Sequence, residues 1–203
     1  MDSSCFLFKG EKCMRCVNRI GLTAAVVAAW LVSGCAASKV DFANIKQPAR
    51  PAELDAYDAF VGSWTWEAEM LNAEDPDKKW TGTAEWKWTL DKRCLRGMFQ
   101  SQSQRTKFEA EGIWSWHPTK KKYIWGMFNN WGYPQRGVAK YDAAAKCWCM
   151  DYTSVGLDGT TSHGRYCMTV VDNNTLDWKM VEWADGLHTV KKVEMKGKYT
   201  RKK

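Results

Sequence analysis

Three stretches of this chain alternate large apolar residues with polar ones at a strict period of two. Trp64, Trp66, Ala68 and Met70 interleave with Ser63, Thr65, Glu67 and Glu69. Trp80, Gly82, Ala84, Trp86 and Trp88 interleave with Thr81, Thr83, Glu85 and Lys87. Phe108, Ala110, Gly112, Trp114 and Trp116 interleave with Lys107, Glu109, Glu111 and Ser115. Successive side chains of a strand point to opposite faces, so this period marks strands with one buried face and one wet face. A helix would need a spacing of three or four.

Turn-forming residues separate the periodic stretches: Asp75-Pro76-Asp77, Asp91-Lys92, His117-Pro118-Thr119, Asp142, Asp158-Gly159, Asn173-Asn174 and Asp185-Gly186. Ten strands are predicted, at 60–70, 80–90, 93–104, 106–116, 121–129, 134–141, 146–153, 161–171, 175–183 and 188–200. Many short, evenly spaced strands imply a sandwich or a closed barrel. Closure removes exposed edges, and consecutive hairpins suit an up-and-down antiparallel meander. The expected fold is therefore an all-β barrel of about ten strands. A short helix should precede it, since Pro51 begins a helical pattern with Glu53 and Asp55 in its first turn. Leu54, Tyr57 and Val61 are expected on its buried face.

The N-terminus has a different texture. Lys9, Lys12, Arg15 and Arg19 precede an apolar run at 20–32, and Leu31-Val32-Ser33-Gly34-Cys35 follows. This is the three-part layout of a secretory signal. Its end resembles the bacterial lipobox, which implies cleavage after residue 34 and acylation of Cys35. The run is 13 residues long, short of the ~20 needed to span a bilayer. Met14 is an alternative start, which would discard Cys13-x-x-Cys16. Ala36 in place of Asp favours the outer membrane under the enterobacterial sorting rule, facing the periplasm. The expected organisation is a signal peptide at 1–34, a lipidated tether at 35–50 and a barrel at 51–203. Removing Lys9, Lys12, Arg15, Arg19, Asp2 and Glu11 lowers the net charge from +7 to +5. That charge is spread out, densest at 191–203.

Thirteen tryptophans are present, and only Trp30 precedes residue 35. Large aromatics either fill a barrel or line a cavity for a flat apolar ligand. For a cavity, the candidates are Trp66, Trp86, Trp88, Trp114, Trp116 and Trp125, with Arg136 or Arg165 to pair a ligand carboxylate.

Two features at opposite ends of the domain resemble the calycin superfamily. Gly62-Ser63-Trp64 is similar to the Gly-x-Trp that begins its first strand after a helix, and Arg201 stands where a late Arg packs over that Trp. The resemblance implies structural roles for Gly62, Trp64 and Arg201. The hairpin from Phe108 through Gly112, Trp114, Trp116, His117 and Pro118 to Tyr123 resembles a bacterial family catalogued as domain of unknown function 1579. Trp125, Asn129-Asn130-Trp131-Gly132 and the Tyr199-Thr200-Arg201-Lys202 ending extend the likeness over 58–202. His117 departs from it, since the family carries Asp there. The family implies an envelope barrel without an assigned reaction.

Cys94, Cys147, Cys149 and Cys167 follow the lipidated cysteine. An oxidising envelope permits disulfides. The Asp158-Gly159 turn sets Cys167 across from Cys149, so that pair is the expected bridge, with buried free thiols or a zinc site of Cys147, Cys149, Cys167 and His163 as alternatives. Haem-binding nitrobindins are related barrels, and by that resemblance His163 would be the axial ligand, although their glycine-rich opening is missing. His117 reads as a turn residue and His188 as exposed. The chain has no Gly-x-Ser-x-Gly, Walker A, His-Glu-x-x-His or dinucleotide fingerprint. The expectation is no catalytic residue, cofactor, metal or nucleic-acid partner. The partners are a lipid bilayer through acylated Cys35 and a small hydrophobic or amphipathic ligand. The alternatives are an interaction module with a solid barrel, or a haem-binding or enzymatic barrel.

Overall fold

Ten antiparallel strands follow one another around a closed barrel, each hydrogen-bonded to the next, with the last paired to the first. They are β1 (Gly62–Met70), β2 (Lys79–Thr89), β3 (Cys94–Gln102), β4 (Lys107–His117), β5 (Lys122–Asn129), β6 (Gln135–Asp142), β7 (Cys147–Val155), β8 (Thr161–Asp172), β9 (Thr175–Trp183) and β10 (Lys191–Arg201). This is a computed structural model, and it describes residues 46–74 and 76–203. The signal peptide, Cys35 and most of the tether lie outside the described residues. So do Cys13 and Cys16.

Closure leaves no unpaired edge. β1 meets β10 from Trp64↔Arg201 to Met70↔Met195, and β2 from Gly62↔Trp86 to Glu69↔Lys79. The inward residues of β1 and β2 are the apolar members of the alternation, Trp64, Trp66, Trp80, Ala84 and Trp86 among them.

A 3-10 helix at Ala52–Phe60 precedes β1. Side chains three apart eclipse in that geometry. Leu54, Tyr57 and Phe60 are therefore its buried row. Val61, expected on that face, is only half-buried and ends the helix. Each buried side chain of this size contributes ~1.5–3 kcal/mol. Tyr57 stacks on Trp148 (centroids 4.4 Å, 14°) and meets Tyr123 edge-on, while Phe60 packs on Trp86 and Trp148. The helix thus stoppers one end of the barrel, the floor.

Where the chain turns into β1, Trp64 is 0% exposed and its Nε1 donates to Phe60 O at 2.8 Å. The Arg201 guanidinium lies 4.1 Å over the Trp64 ring. It donates to Ala59 O at 3.0 Å, to Asn173 O at 2.6 Å and to Val61 O. Gly62 has φ +129°, and a Cβ there would meet Arg201 Nη1. Glycine is the residue that tolerates both conditions.

Candidate functional site

Above the helix the barrel is hollow. The cavity measures about 280 Å³. Trp66, Trp86, Trp114, Trp125 and Trp178 form much of its wall, with Tyr152, Tyr166 and Tyr199 and the methionines Met150, Met168 and Met195. Trp114 and Trp125 lie face to face (6.1 Å, 6°), and Trp66 meets Trp178 edge-on at 5.8 Å.

So many large rings leave a lumen because glycines seat them. Trp66 is opposite Gly82, Trp86 opposite Gly97, Trp178 opposite Gly197 and Tyr152 opposite Gly164. A Cβ at Gly82, Gly97 or Gly197 would lie 2.6, 2.8 or 2.7 Å from atoms of those indoles, and one at Gly164 would fall on the Tyr152 ring. Each aromatic lies down across the strand onto a bare Cα, the pairing that rescues glycine in barrels.

Three indole N–H groups on this wall have no acceptor: Trp66, Trp125 and Trp178. Trp125 and Trp178 are 8% and 7% exposed. Other indoles are served, Trp80 by Asp77 O, Trp88 by the Asp58 carboxylate, Trp114 by the Met150 sulfur and Trp131 by Lys107 O.

The open end carries the polar groups. Tyr152 donates its hydroxyl to Glu182 Oε2 at 3.2 Å. Lys192 Nζ is 3.9 Å from Glu182 Oε1 and 3.3 Å from Ser162 Oγ. Ser101, Asn129 and Gln135 complete the mouth, with Tyr133 beside them. Burial, and then the Glu182 charge, push the Tyr152 hydroxyl well above the usual phenol range. Burial likewise raises Tyr166 and Tyr199.

Of the six tryptophans expected in a cavity, Trp66, Trp86, Trp114 and Trp125 line it. Trp88 and Trp116 do not. Both point inward but lie at the floor end, beyond the aromatic stopper. Trp88 is held by Asp58 and by the Arg50 guanidinium 4.8 Å from its ring, and Trp116 packs on Tyr123. The two arginines are corrected outright. Arg136 and Arg165 are exposed on the outer wall, where Arg165 pairs with Asp151 at 2.6 Å. The inward positions beside them belong to Gln135 and Gly137, and to Gly164 and Tyr166. Trp80, Trp131, Trp178, Glu182 and Lys192 also line the cavity. The Leu176, Trp178, Met180, Glu182 alternation was available to find two of these.

Cys149 and Cys167 are register partners on the outer face, joined by a disulfide with Cα atoms 4.1 Å apart. Cys147 and Cys94 carry free thiols. A zinc site at Cys147, Cys149, Cys167 and His163 fails, because the disulfide consumes two of the thiolates. His163 sits near the start of β8, on the outward parity set by inward Ser162 and Gly164, with its ring 6.2 Å from His188. An outward His cannot reach a haem in the lumen. His188 stacks on Trp183 (4.4 Å) in the β9–β10 loop, and His117 Nδ1 accepts from Lys120 N at the β4–β5 turn. Among the described residues no three His, Cys, Asp or Glu side chains cluster as metal ligands.

The barrel is similar to the crystal structure of Rv2717c from M. tuberculosis, with a TM-score of 0.56 and 12% identity over 76% of this chain and 100% of that one. It also resembles a de novo designed fluorescence-activating β-barrel (TM-score 0.41, 15% identity, 73% of this chain and 98% of that one). A third is EF1p2_mFAP2b bound to DFHBI (0.40, 11%, 73% and 98%). No family model and no curated protein matches the chain. The fold is a closed barrel of ten antiparallel strands.

Proposed function

We propose that this chain is a lipid-tethered envelope protein, of the kind catalogued as domain of unknown function 1579, whose barrel holds a small hydrophobic or amphipathic ligand. The cavity carries the reading. Its volume of about 280 Å³ is at the small end of ligand pockets, roughly 300–1,000 Å³, and far above the ~10–15 Å³ that admits one water. Its wall is aromatic and apolar, with unpartnered indole donors at Trp66, Trp125 and Trp178. A buried donor without an acceptor costs about 1–3 kcal/mol, so a ligand bearing carbonyl or ether oxygens gains by reaching them. A solid interaction barrel has no use for such a space.

Native mass spectrometry of the domain purified from its host is expected to show a co-purified small molecule. A small, neutral, apolar fluorescent probe is expected to quench tryptophan emission. A barrel that carries nothing and ignores the probe would overturn the carrier reading. The tether is tested separately: wild type should incorporate labelled palmitate and fractionate with the outer membrane, and Cys35→Ala should do neither. Equal labelling of both would remove the lipoprotein.

A further inference from the structure

We infer that the ligand's head group is cationic, an organic ammonium on a largely apolar body whose carbonyl or ether oxygens meet the indole donors, and that Glu182 is its counter-charge. The inference rests on the reading of the cavity as a ligand site and names the ligand's class.

Among the described residues Glu182 is the one carboxylate lining the cavity, and Lys192 the one base. They are not equivalent. The Glu182 side chain is 11% exposed and sits in the wall, whereas Lys192 is 45% exposed and reaches in from the rim. Their separation of 3.9 Å is loose, and Lys192 divides its donors between Glu182 and Ser162. A carboxylate has about four lone-pair sites. Tyr152 occupies one at 3.2 Å, so the group can accept from an incoming N–H without losing that hydroxyl.

The neighbouring surface has the same electrical preference. Tyr133, Tyr152, Tyr166 and Trp178 line the cavity, Lys192 Nζ already lies 6.0 Å from the Tyr133 ring centroid, and ring faces carry negative quadrupole density that attracts cations. An apolar cage with one buried carboxylate is matched by an ammonium. A ligand carboxylate would instead meet Glu182 with like charge and could pair only with the exposed Lys192 at the rim, because Arg136 and Arg165 face the outer solvent. The ligand ammonium would displace Lys192, whose long side chain returns to water cheaply.

Three naphthalene probes of nearly equal size separate the possibilities: 2-naphthylmethylammonium, 2-naphthylmethanol and 2-naphthylacetate. Dissociation constants are read by tryptophan quenching on the mature chain, wild type, Glu182→Gln and Lys192→Met. In wild type the ammonium is expected to bind at least ~10-fold tighter than the alcohol, a difference of about 1.4 kcal/mol, and the acetate weakest. Glu182→Gln should bring the ammonium-to-alcohol ratio to within about twofold, and Lys192→Met should raise it. The ratio is the readout, so a general loosening of the barrel cancels. An ammonium that binds no better than the alcohol, an acetate that binds best, or a ratio untouched by Glu182→Gln overturns the inference while leaving the cavity reading intact. If none of the probes binds, the cavity reading itself falls.

Discussion

Arg201→Ala should loosen the floor of the barrel more than its half-exposed position suggests. The guanidinium serves three carbonyls, Ala59 and Val61 at the helix end and Asn173 in the β8–β9 turn, and it roofs the buried Trp64 ring. Hydrogen bonds from a charged donor contribute about 1.5–3 kcal/mol each when buried. The two toward the helix are half-buried, so together they contribute about 2–3 kcal/mol, and the exposed one to Asn173 less than ~1. The cation–π contact adds roughly 0.5–1 kcal/mol. The expected loss is about 3–5 kcal/mol, or ~6–20 °C in Tm for a domain of this size. Arg201→Lys keeps a charge over the ring but cannot fork to three acceptors, and should lose about half as much. Urea denaturation followed by tryptophan emission measures both. A loss below about 1 kcal/mol for Arg201→Ala, or a lysine variant no better than alanine, would refute the reasoning.

Gly164→Ala places a methyl on the Tyr152 ring and should cost about 2–4 kcal/mol through overpacking and the displaced bond to Glu182; an unchanged chemical denaturation midpoint counts against the glycine-seat argument. The bridge Cys149–Cys167 spans 18 residues, so Cys167→Ser should cost about 3 kcal/mol by loop entropy, and equal melting of oxidised and reduced protein would contradict this. Burial raises the ionisation of Tyr57, Tyr152, Tyr166 and Tyr199 above the ordinary value of 10.0. The folded state then holds protons that the unfolded state gives up, so stability is full below pH ~10 and falls as pH rises beyond it. Absorbance of tyrosinate in a pH jump should show these four ionising only with unfolding; prompt ionisation of all seven would refute it.

The strands were legible because their inward residues are large. Trp64, Trp66, Trp86 and Trp114 announce a buried face, and closure follows from ten strands joined by consecutive hairpins. Orientation was illegible where inward positions are small. In β6 the inward set is Gln135, Gly137, Ala139 and Tyr141, and the outward set is Arg136, Val138, Lys140 and Asp142. Neither reads as a core face, so Arg136 had no visible side. Gly164 silences β8 beside Arg165 in the same manner. Parity also says nothing about depth along the barrel axis, which is why Trp88 and Trp116 were grouped with rings above the stopper. The helix row was misread by one residue, because Leu54, Tyr57 and Phe60 follow a period of three.

The seating of aromatic rings on bare Cα atoms means that hydrogens, not side chains, set the bore of this barrel. The indoles of Trp66, Trp86 and Trp178 are flattened against their strands onto the opposite glycines, and one added methyl lifts such a ring into the lumen. Volume and shape can therefore be retuned without changing charge by an alanine at Gly97, where the added methyl meets only the Trp86 and Trp114 rings, whereas at Gly82 and Gly197 it also meets a backbone carbonyl. Two barrels of this design with nearly identical aromatic content would accept differently shaped guests, and the positions to compare between them are the glycines.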